Sequence, residues 1–434
     1  MRREEMENIL AVGIDPGKWI NYGVAMVYPE KILLSRSFPN TWTGVLEFDK
    51  EVEKIAEQRG LVIIYGVEGG KNCALPLCQI LHQRKKRYLL EVNPLKSNRQ
   101  KDFYGEDKSD AVDARAVAAI VLRSTENLPV IEGGTSLFND IREAERYLTD
   151  LSRRKTQLIN KLHSHLSQVY MAHYKNFFPQ LKSKKALRFF EQYPIPQYLK
   201  GESKEQLMQF LKKTARRYGP FSKKEAQKQI EEKAKMMMYI GTTLGCFPLD
   251  RALRIKATII TQLCQQILSL QENIARVEKL LEKDLLPQTG LHLTSFSGMS
   301  TILAAIIIGE SQDTHRFRSS SSYAKYNGTA PAEKASGGRC RHKARKACNK
   351  RLKRAFYLLA LSSAGCDSLS REYVNRCQIR GISKKEGVKR LARRLSDVIY
   401  AMMRDKTTYD RNKVLARKTR RGGNLIRRHV AAVL

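Results

Sequence analysis

A chain of 434 residues with 42% hydrophobic content is long enough for about two to three domains, each burying its own core. Its net charge of +36, from 79 Lys and Arg against 43 Asp and Glu, exceeds what solubility requires and points to a polyanionic partner, nucleic acid first. No apolar run reaches membrane-spanning length and neither a signal peptide nor an anchor is visible, so no membrane partner and a cytoplasmic location are expected.

The first apolar run, Ile9 to Ile14, ends at Asp15-Pro16-Gly17-Lys18 and reads as a buried strand that delivers an aspartate into a turn. Strand-like runs at Tyr22 to Tyr28 and Lys31 to Ser37 follow with tight connections, which predicts an antiparallel meander. A helix is predicted over Thr43 to Arg59. Leu61 to Val67 is then a near-continuous apolar strand, of the kind buried on both faces, ending at Glu68-Gly69-Gly70. A helix at Leu75 to Arg84, a strand at Arg87 to Val92 and a strong helix former from Lys108 to Ala119 complete the unit.

That last helix carries Asp110 and Asp113, three residues apart and therefore on one face. Alone, the pair reads first as a solvated helix face. With Asp15 and Glu68 at strand ends, the element order fits a mixed sheet covered by helices, on which four carboxylates converge. An oxygen-rich tetrad of this kind suits Mg2+ or Mn2+.

Beyond Phe138 the pattern changes to long charged helices. Leu151, Leu158, Leu162 and Leu166 mark one amphipathic helix within Arg142 to His173, and the lysine-rich segment from Asn176 to Thr242 reads as a small helical subdomain without assigned chemistry. Leu253, Ile260, Ile267, Ile274 and Leu281 then recur every seven residues, with Leu263, Leu270 and Val277 at the companion position. This heptad seam requires a partner helix, either the Arg142 to His173 helix or another protomer, and dimerisation is the expectation. After Pro287, the Leu293 to Ser300 segment before the apolar helix Thr301 to Gly309 is similar to a helix-hairpin-helix turn that presents backbone N–H groups to phosphate.

No acidic residue lies between Glu333 and Asp367. Within that span Ser336 stands in a basic, glycine-bearing loop, Ala335-Ser336-Gly337-Gly338-Arg339-Cys340-Arg341. Positive charge there would neutralise a phosphodiester and ease formation of an alkoxide, so Ser336 is either a nucleophile or a phosphate contact. The tail helix Lys384 to Arg404 has an apolar face, and Lys413 to Arg428 reads as a basic nucleic-acid-binding arm. The eight cysteines are dispersed without paired CxxC spacing and are expected to be reduced thiols rather than zinc ligands.

Gly13-Ile14-Asp15-Pro16-Gly17, Val67-Glu68-Gly69 and Lys108-Ser109-Asp110-Ala111-Val112-Asp113-Ala114 resemble the DEDD motifs of the RuvC-like domain in a family of bacterial insertion-sequence transposases, relatives of the Piv DNA invertases. Pro331-Ala332-Glu333, Ala335-Ser336-Gly337-Gly338 and Asn349 to Arg354 resemble the C-terminal domain of the same family, so the likeness runs from about Ile9 to Arg404. The resemblance implies an α/β plus all-α chain. It would have an RNase H-like, RuvC-like mixed-sheet domain over residues 1–130, a long helical and coiled-coil region over 131–290, a mainly helical C-terminal transposase domain over 291–410, and a basic tail over 411–434.

It further implies an RNA-guided DNA recombinase acting on donor and target DNA, in which a bridge RNA chooses the sites. Ser336 would become covalently joined to DNA beside Mg2+ held by Asp15, Glu68, Asp110 and Asp113. A homodimer or homotetramer would bring the two residue sets together and pass through a Holliday junction. Arg339, Arg341, Arg351 and Arg354 are the expected phosphate contacts. A metal-dependent junction nuclease with water as nucleophile and a non-catalytic nucleic-acid scaffold are the competing readings.

Overall fold

A computed structural model describes residues 6–69, 74–84, 87–105, 107, 109–128, 130–131, 137–213, 223–336, 339–343 and 345–410. The chain forms two compact units, Met1–Ser136 and Leu137–Leu434. Gly70, Lys108, the Gly337-Gly338 pair and the basic arm at Lys413 to Arg428 lie outside the described residues. Among the described residues no helix is long and apolar enough to cross a membrane.

The first unit is built on a five-stranded mixed sheet in the order β3-β2-β1-β4-β5. Strands β1 (Ile9–Asp15), β2 (Ile20–Val27) and β3 (Lys31–Pro39) form the expected antiparallel meander. Helix α1 (Trp42–Arg59) crosses to β4 (Val62–Glu68), which lies parallel to β1, and α2 (Ala74–His82) crosses to β5 (Tyr88–Val92), parallel to β4. Every residue of β1 is buried, as its unbroken apolar run requires of a strand with a layer on each face. Two further helices follow, α3 (Pro94–Tyr104) and α4 (Asp110–Ser124). The periodicity of the sequence does not reveal α3, whose apolar content is too low to mark a face.

Helix α4 lies directly on the sheet because β1 and β4 carry glycine where it crosses. A Cβ on Gly13 would stand 2.2 Å from the Ala114 carbonyl oxygen and 2.3 Å from the Ala118 nitrogen. One on Gly66, the partner of Gly13 across the β1–β4 ladder, would stand 2.3 Å from the Val121 side chain. Opposite, α1 buries Asp49, whose carboxylate takes hydrogen bonds from Tyr65, Arg84 and Arg87 at 2.8 to 2.9 Å. Burial raises the Asp49 pKa, and these bonds from Arg87, Tyr65 and Arg84 more than offset it, leaving the pKa below its ordinary value.

The second unit opens with α5 (Leu137–Val169), followed by α6 (His173–Phe177), α7 (Lys184–Gln192), α8 (Lys204–Lys213) and α9 (Lys223–Thr243). The long α10 (Arg251–Leu280) then runs back antiparallel to α5: Ile260, Leu263 and Ile267 share a core with Leu162 and Leu166, while Ile274 and Leu281 share one with Ile141, Leu148 and Leu151. This corrects the expectation that the heptad seam recruits a second protomer. The apolar stripe is already covered by α5 of the same chain, so burial of the seam supplies no force for dimerisation.

After a π turn at Leu281–Leu285, α11 (Thr301–Ser311) and α12 (Ser320–Tyr326) lead to a hairpin of β6 (Ala332–Ser336) and β7 (Arg339–Lys343). Helices α13 (Lys350–Cys366), α14 (Ser368–Ile379) and α15 (Lys384–Asp405) close the unit around Phe356, Tyr323 and Tyr400. The segment before α11, expected to offer backbone N–H groups to phosphate, is packed at Gly298 against the second unit's own backbone. A Cβ on Gly298 would stand 2.7 Å from the Ser363 backbone nitrogen, so α13 packs against that turn.

Candidate active site

Two of the four expected carboxylates end neighbouring parallel strands. Ile14 pairs with Val67, so Asp15 and Glu68 follow side by side at the C-terminal end of β1 and β4, each about 8% exposed. Asp110 and Asp113 occupy the first turn of α4, whose N-cap Ser109 accepts a hydrogen bond from the Val112 N–H at 3.3 Å. Carboxylates in a first helical turn are stabilised by the helix dipole. Because the α4 backbone rests on Gly13, Asp113 is buried at this same end of the sheet, while Asp110 remains exposed.

Helix α3 meets these carboxylates with two side chains one turn apart. The Ser97 hydroxyl donates to Glu68 Oε1 at 2.5 Å, and Lys101 Nζ stands 2.7 Å from Asp113 Oδ1, both groups largely shielded from water. Neither residue is expected from the sequence pattern. The one available signal is Asn93-Pro94: proline is favoured at the first position of a helix, and Lys96 N–H bonds the Asn93 carbonyl at 2.8 Å.

The carboxylate oxygens are the donor type that Mg2+ and Mn2+ take, and their burial calls for a compensating cation. In the described residues, however, no group of three or more His, Cys, Asp or Glu is gathered closely enough to hold an ion. Lys101 supplies the positive charge instead. A metal could take its place on Asp113 once the lysine moves aside.

In the second unit, Ser336 is the last residue of β6, in register with Arg339, and Arg341 is in register with Lys334. The expectation placed Ser336 in a loop. Only Gly337 and Gly338 separate the strands, the spacing of the tightest hairpin connection. The side chains of Ser336, Arg339 and Arg341 lie outside the description. Arg354 is exposed on α13.

Arg351 is engaged elsewhere, with its Nη1 3.4 Å from Glu145 and its Nε 3.9 Å from Glu310. Glu145 and Glu310 form a buried acidic pair, 0% and 3% exposed. Arg146 donates to Glu310 Oε1 at 2.8 Å and Asn349, the N-cap of α13, donates to Oε2 at 2.7 Å. Burial pushes the Glu145 carboxyl up to about 7, while Glu310 is held below its ordinary value because bonds from Arg146 and Asn349 outweigh its burial. The sequence does hold a signal for this pair. Glu310 interrupts an otherwise apolar helix, and Glu145 falls between Ile141 and Leu148 on the buried stripe of α5.

Family models match both halves of the chain. One for a DEDD transposase of the IS110 type covers residues 12–171, and one described as transposase of the IS116/IS110/IS902 family covers residues 291–375. These are IS110-family transposase domains, and the chain is a transposase. The whole transposase is similar to the uncharacterized 43.6 kDa protein of insertion element IS110 from Streptomyces coelicolor, at 26% identity over 92% of this chain and 95% of the relative. It is also similar to the 42 kDa protein of IS900 from Mycobacterium paratuberculosis and the 44.8 kDa protein of IS116 from Streptomyces clavuligerus. Both are 25% identical over 92% of this chain, and over 96% and 95% of their own lengths. The first matched region of the transposase contains all four carboxylates together with Ser97 and Lys101. The second contains Ser336, Asn349 and the four arginines.

Proposed function

We propose that this transposase cuts donor and target DNA and exchanges their strands through a covalent link to Ser336, with Asp15, Glu68, Asp110 and Asp113 holding Mg2+ or Mn2+. The observation that carries the reading is the exit of Asp15 and Glu68 from neighbouring parallel strands at the sheet end where α4 brings Asp113. Bound there, the divalent ion would supply the positive charge that a phosphodiester under attack requires.

The serine step is a transesterification. The Ser336 oxygen bonds to phosphorus as a bond from phosphorus to a sugar oxygen breaks, and the freed strand end leaves as a hydroxyl that gains the proton the serine gives up. Attack by the hydroxyl of the partner strand reverses the step and releases serine. Phosphodiester energy is retained, so no nucleotide is consumed. Backbone groups of Arg339 and Arg341 on β7 adjoin the serine strand, which supports phosphate contacts there. Arg354 is an exposed candidate for the same role.

Two further parts of this reading come from the family resemblance and from the charge of +36: a bridge RNA that pairs with both DNAs, and an active homodimer or homotetramer. The test uses purified protein with guide RNA, Mg2+ and paired DNAs. Wild type should give recombinants and an SDS-resistant protein–DNA adduct mapping to Ser336, and Ser336→Ala should give neither. Strand cleavage retained by Ser336→Ala would instead identify a metal-dependent nuclease with water as nucleophile. Recombination retained by Asp15→Asn would remove the carboxylates from the chemistry.

A further inference from the structure

The chain holds two tryptophans, and both stand in water beside the turn that follows Asp15. Trp19 is 75% exposed, four residues beyond Asp15, and Trp42, the first residue of α1, is 56% exposed. Tryptophan buries the largest apolar surface of any side chain, so leaving both outside forgoes substantial stabilisation.

Their backbones are nevertheless firmly placed. Asn40 N–H donates to the Trp19 carbonyl at 2.8 Å, and the Asn40 side chain donates to the Gly17 carbonyl at 3.1 Å. The fully buried Asn21 completes the brace, donating to Asn40 Oδ1 at 3.2 Å and accepting from the Gly17 N–H at 3.1 Å. Two asparagines thus tie the turn at residues 16–19 to the segment that leads into α1. The rings are exposed on a fixed support. Lys18 adds a cation 4.9 Å from the Trp19 ring centroid, and Ile20 is 63% exposed next to it.

We infer that Trp19 and Trp42 form a stacking platform for unpaired bases of the DNA strand that enters the carboxylate site. Exposed aromatic rings beside a lysine are the chemistry that receives single-stranded nucleic acid: base faces stack on the rings while the cation meets the backbone. Bases inside a duplex are already stacked and cannot be received, so the platform would favour DNA opened next to the cut. A second copy of a chain with net charge +36 would bring like charge to Lys18, whereas a polyanion is attracted to it. The assignment of the strand to the cut site rests on the function proposed for Asp15.

Because the chain has no other tryptophan, its intrinsic emission reports on these two rings alone when excited at wavelengths tyrosine does not absorb. The full-length protein in EDTA is titrated with a short single-stranded oligodeoxynucleotide, an abasic strand of equal length, the duplex and an oligoribonucleotide, with binding followed by anisotropy of a labelled strand. The base-bearing DNA strand should quench the emission at saturation, and the abasic strand should bind without quenching. Trp19→Ala and Trp42→Ala should each weaken single-strand affinity roughly fivefold to a hundredfold, and Trp19→Phe should recover most of the loss.

Equal emission with base-bearing and abasic strands would overturn the inference. So would quenching confined to the duplex or to RNA, or tryptophan variants that alter self-association and leave DNA affinity unchanged. No cleavage is read in this assay. A failed recombination test therefore leaves the stacking platform intact and removes only its link to the cut, and a failed quench leaves the carboxylate chemistry standing.

Discussion

Replacing Gly13 with alanine tests whether the close seat of α4 on the sheet positions the carboxylates. The added methyl would lie 2.2 Å from the Ala114 carbonyl oxygen and 2.3 Å from the Ala118 nitrogen, where real contacts do not fall below 3.0 Å. Both neighbours are backbone atoms of one helix, so no rotamer change relieves the clash and α4 must retreat by about 1 Å. Overpacking of this kind costs about 1 to 3 kcal/mol, and Gly13→Ala should fall at the upper end. The same retreat carries Asp110 and Asp113 away from Asp15 and Glu68, and a misplacement of about 1 Å can slow a reaction roughly a hundredfold.

Gly66→Ala is the internal comparison. The atoms nearest its methyl belong to side chains, those of Val121, Val117 and Val92, which can shift, so the cost should be near 1 kcal/mol with a far smaller loss of rate. Urea unfolding gives the stability, and single-turnover strand cleavage gives the rate. Equal stability and full cleavage in Gly13→Ala would refute the claim that this contact sets the site.

Lys101→Met should leave the buried Asp113 carboxylate without its 2.7 Å partner, costing on the order of 3 kcal/mol without metal; Mg2+ should then raise the melting temperature more than in wild type, and an equal Mg2+ response in both proteins would show that lysine and metal do not share Asp113. The Glu145 carboxyl, raised from 4.5 to about 7, holds its proton in the folded chain where the unfolded chain has released it. Its contribution is therefore present at low pH and declines as pH rises across that window, by about 3 kcal/mol at most. Glu145→Gln, whose amide can donate to Glu310 as the protonated acid does, should flatten the fall in urea midpoint between those pH values. A slope unchanged from wild type would show that the acid pair is not its source.

Local pattern made much of the first unit legible. Apolar runs such as Ile9 to Ile14 and Leu61 to Val67 can be satisfied only by burial on both faces, and the residues ending them must leave the sheet at its rim. That placed Asp15 and Glu68 correctly at strand ends. The three-residue spacing of Asp110 and Asp113 fixed a shared helix start, but not the difference between them. One is buried and the other exposed because the helix is seated on Gly13, a contact more than a hundred residues apart in sequence.

What covers a buried face, and what neutralises a buried charge, depends on partners that no local period encodes. The heptad of α10 demanded a helix without naming one, and the folded chain supplies α5. Ser97 and Lys101 lie on a helix with little apolar content, yet they reach Glu68 and Asp113 across the fold. Arg351 reads as a phosphate contact in a basic run, and tertiary packing turns it towards Glu145 and Glu310. The sequence by itself determined which faces are apolar, where the carboxylates end their strands and that the chain meets a polyanion. Only the tertiary structure decided which charges are paired, because the energy of a buried charge is set by its non-local neighbours.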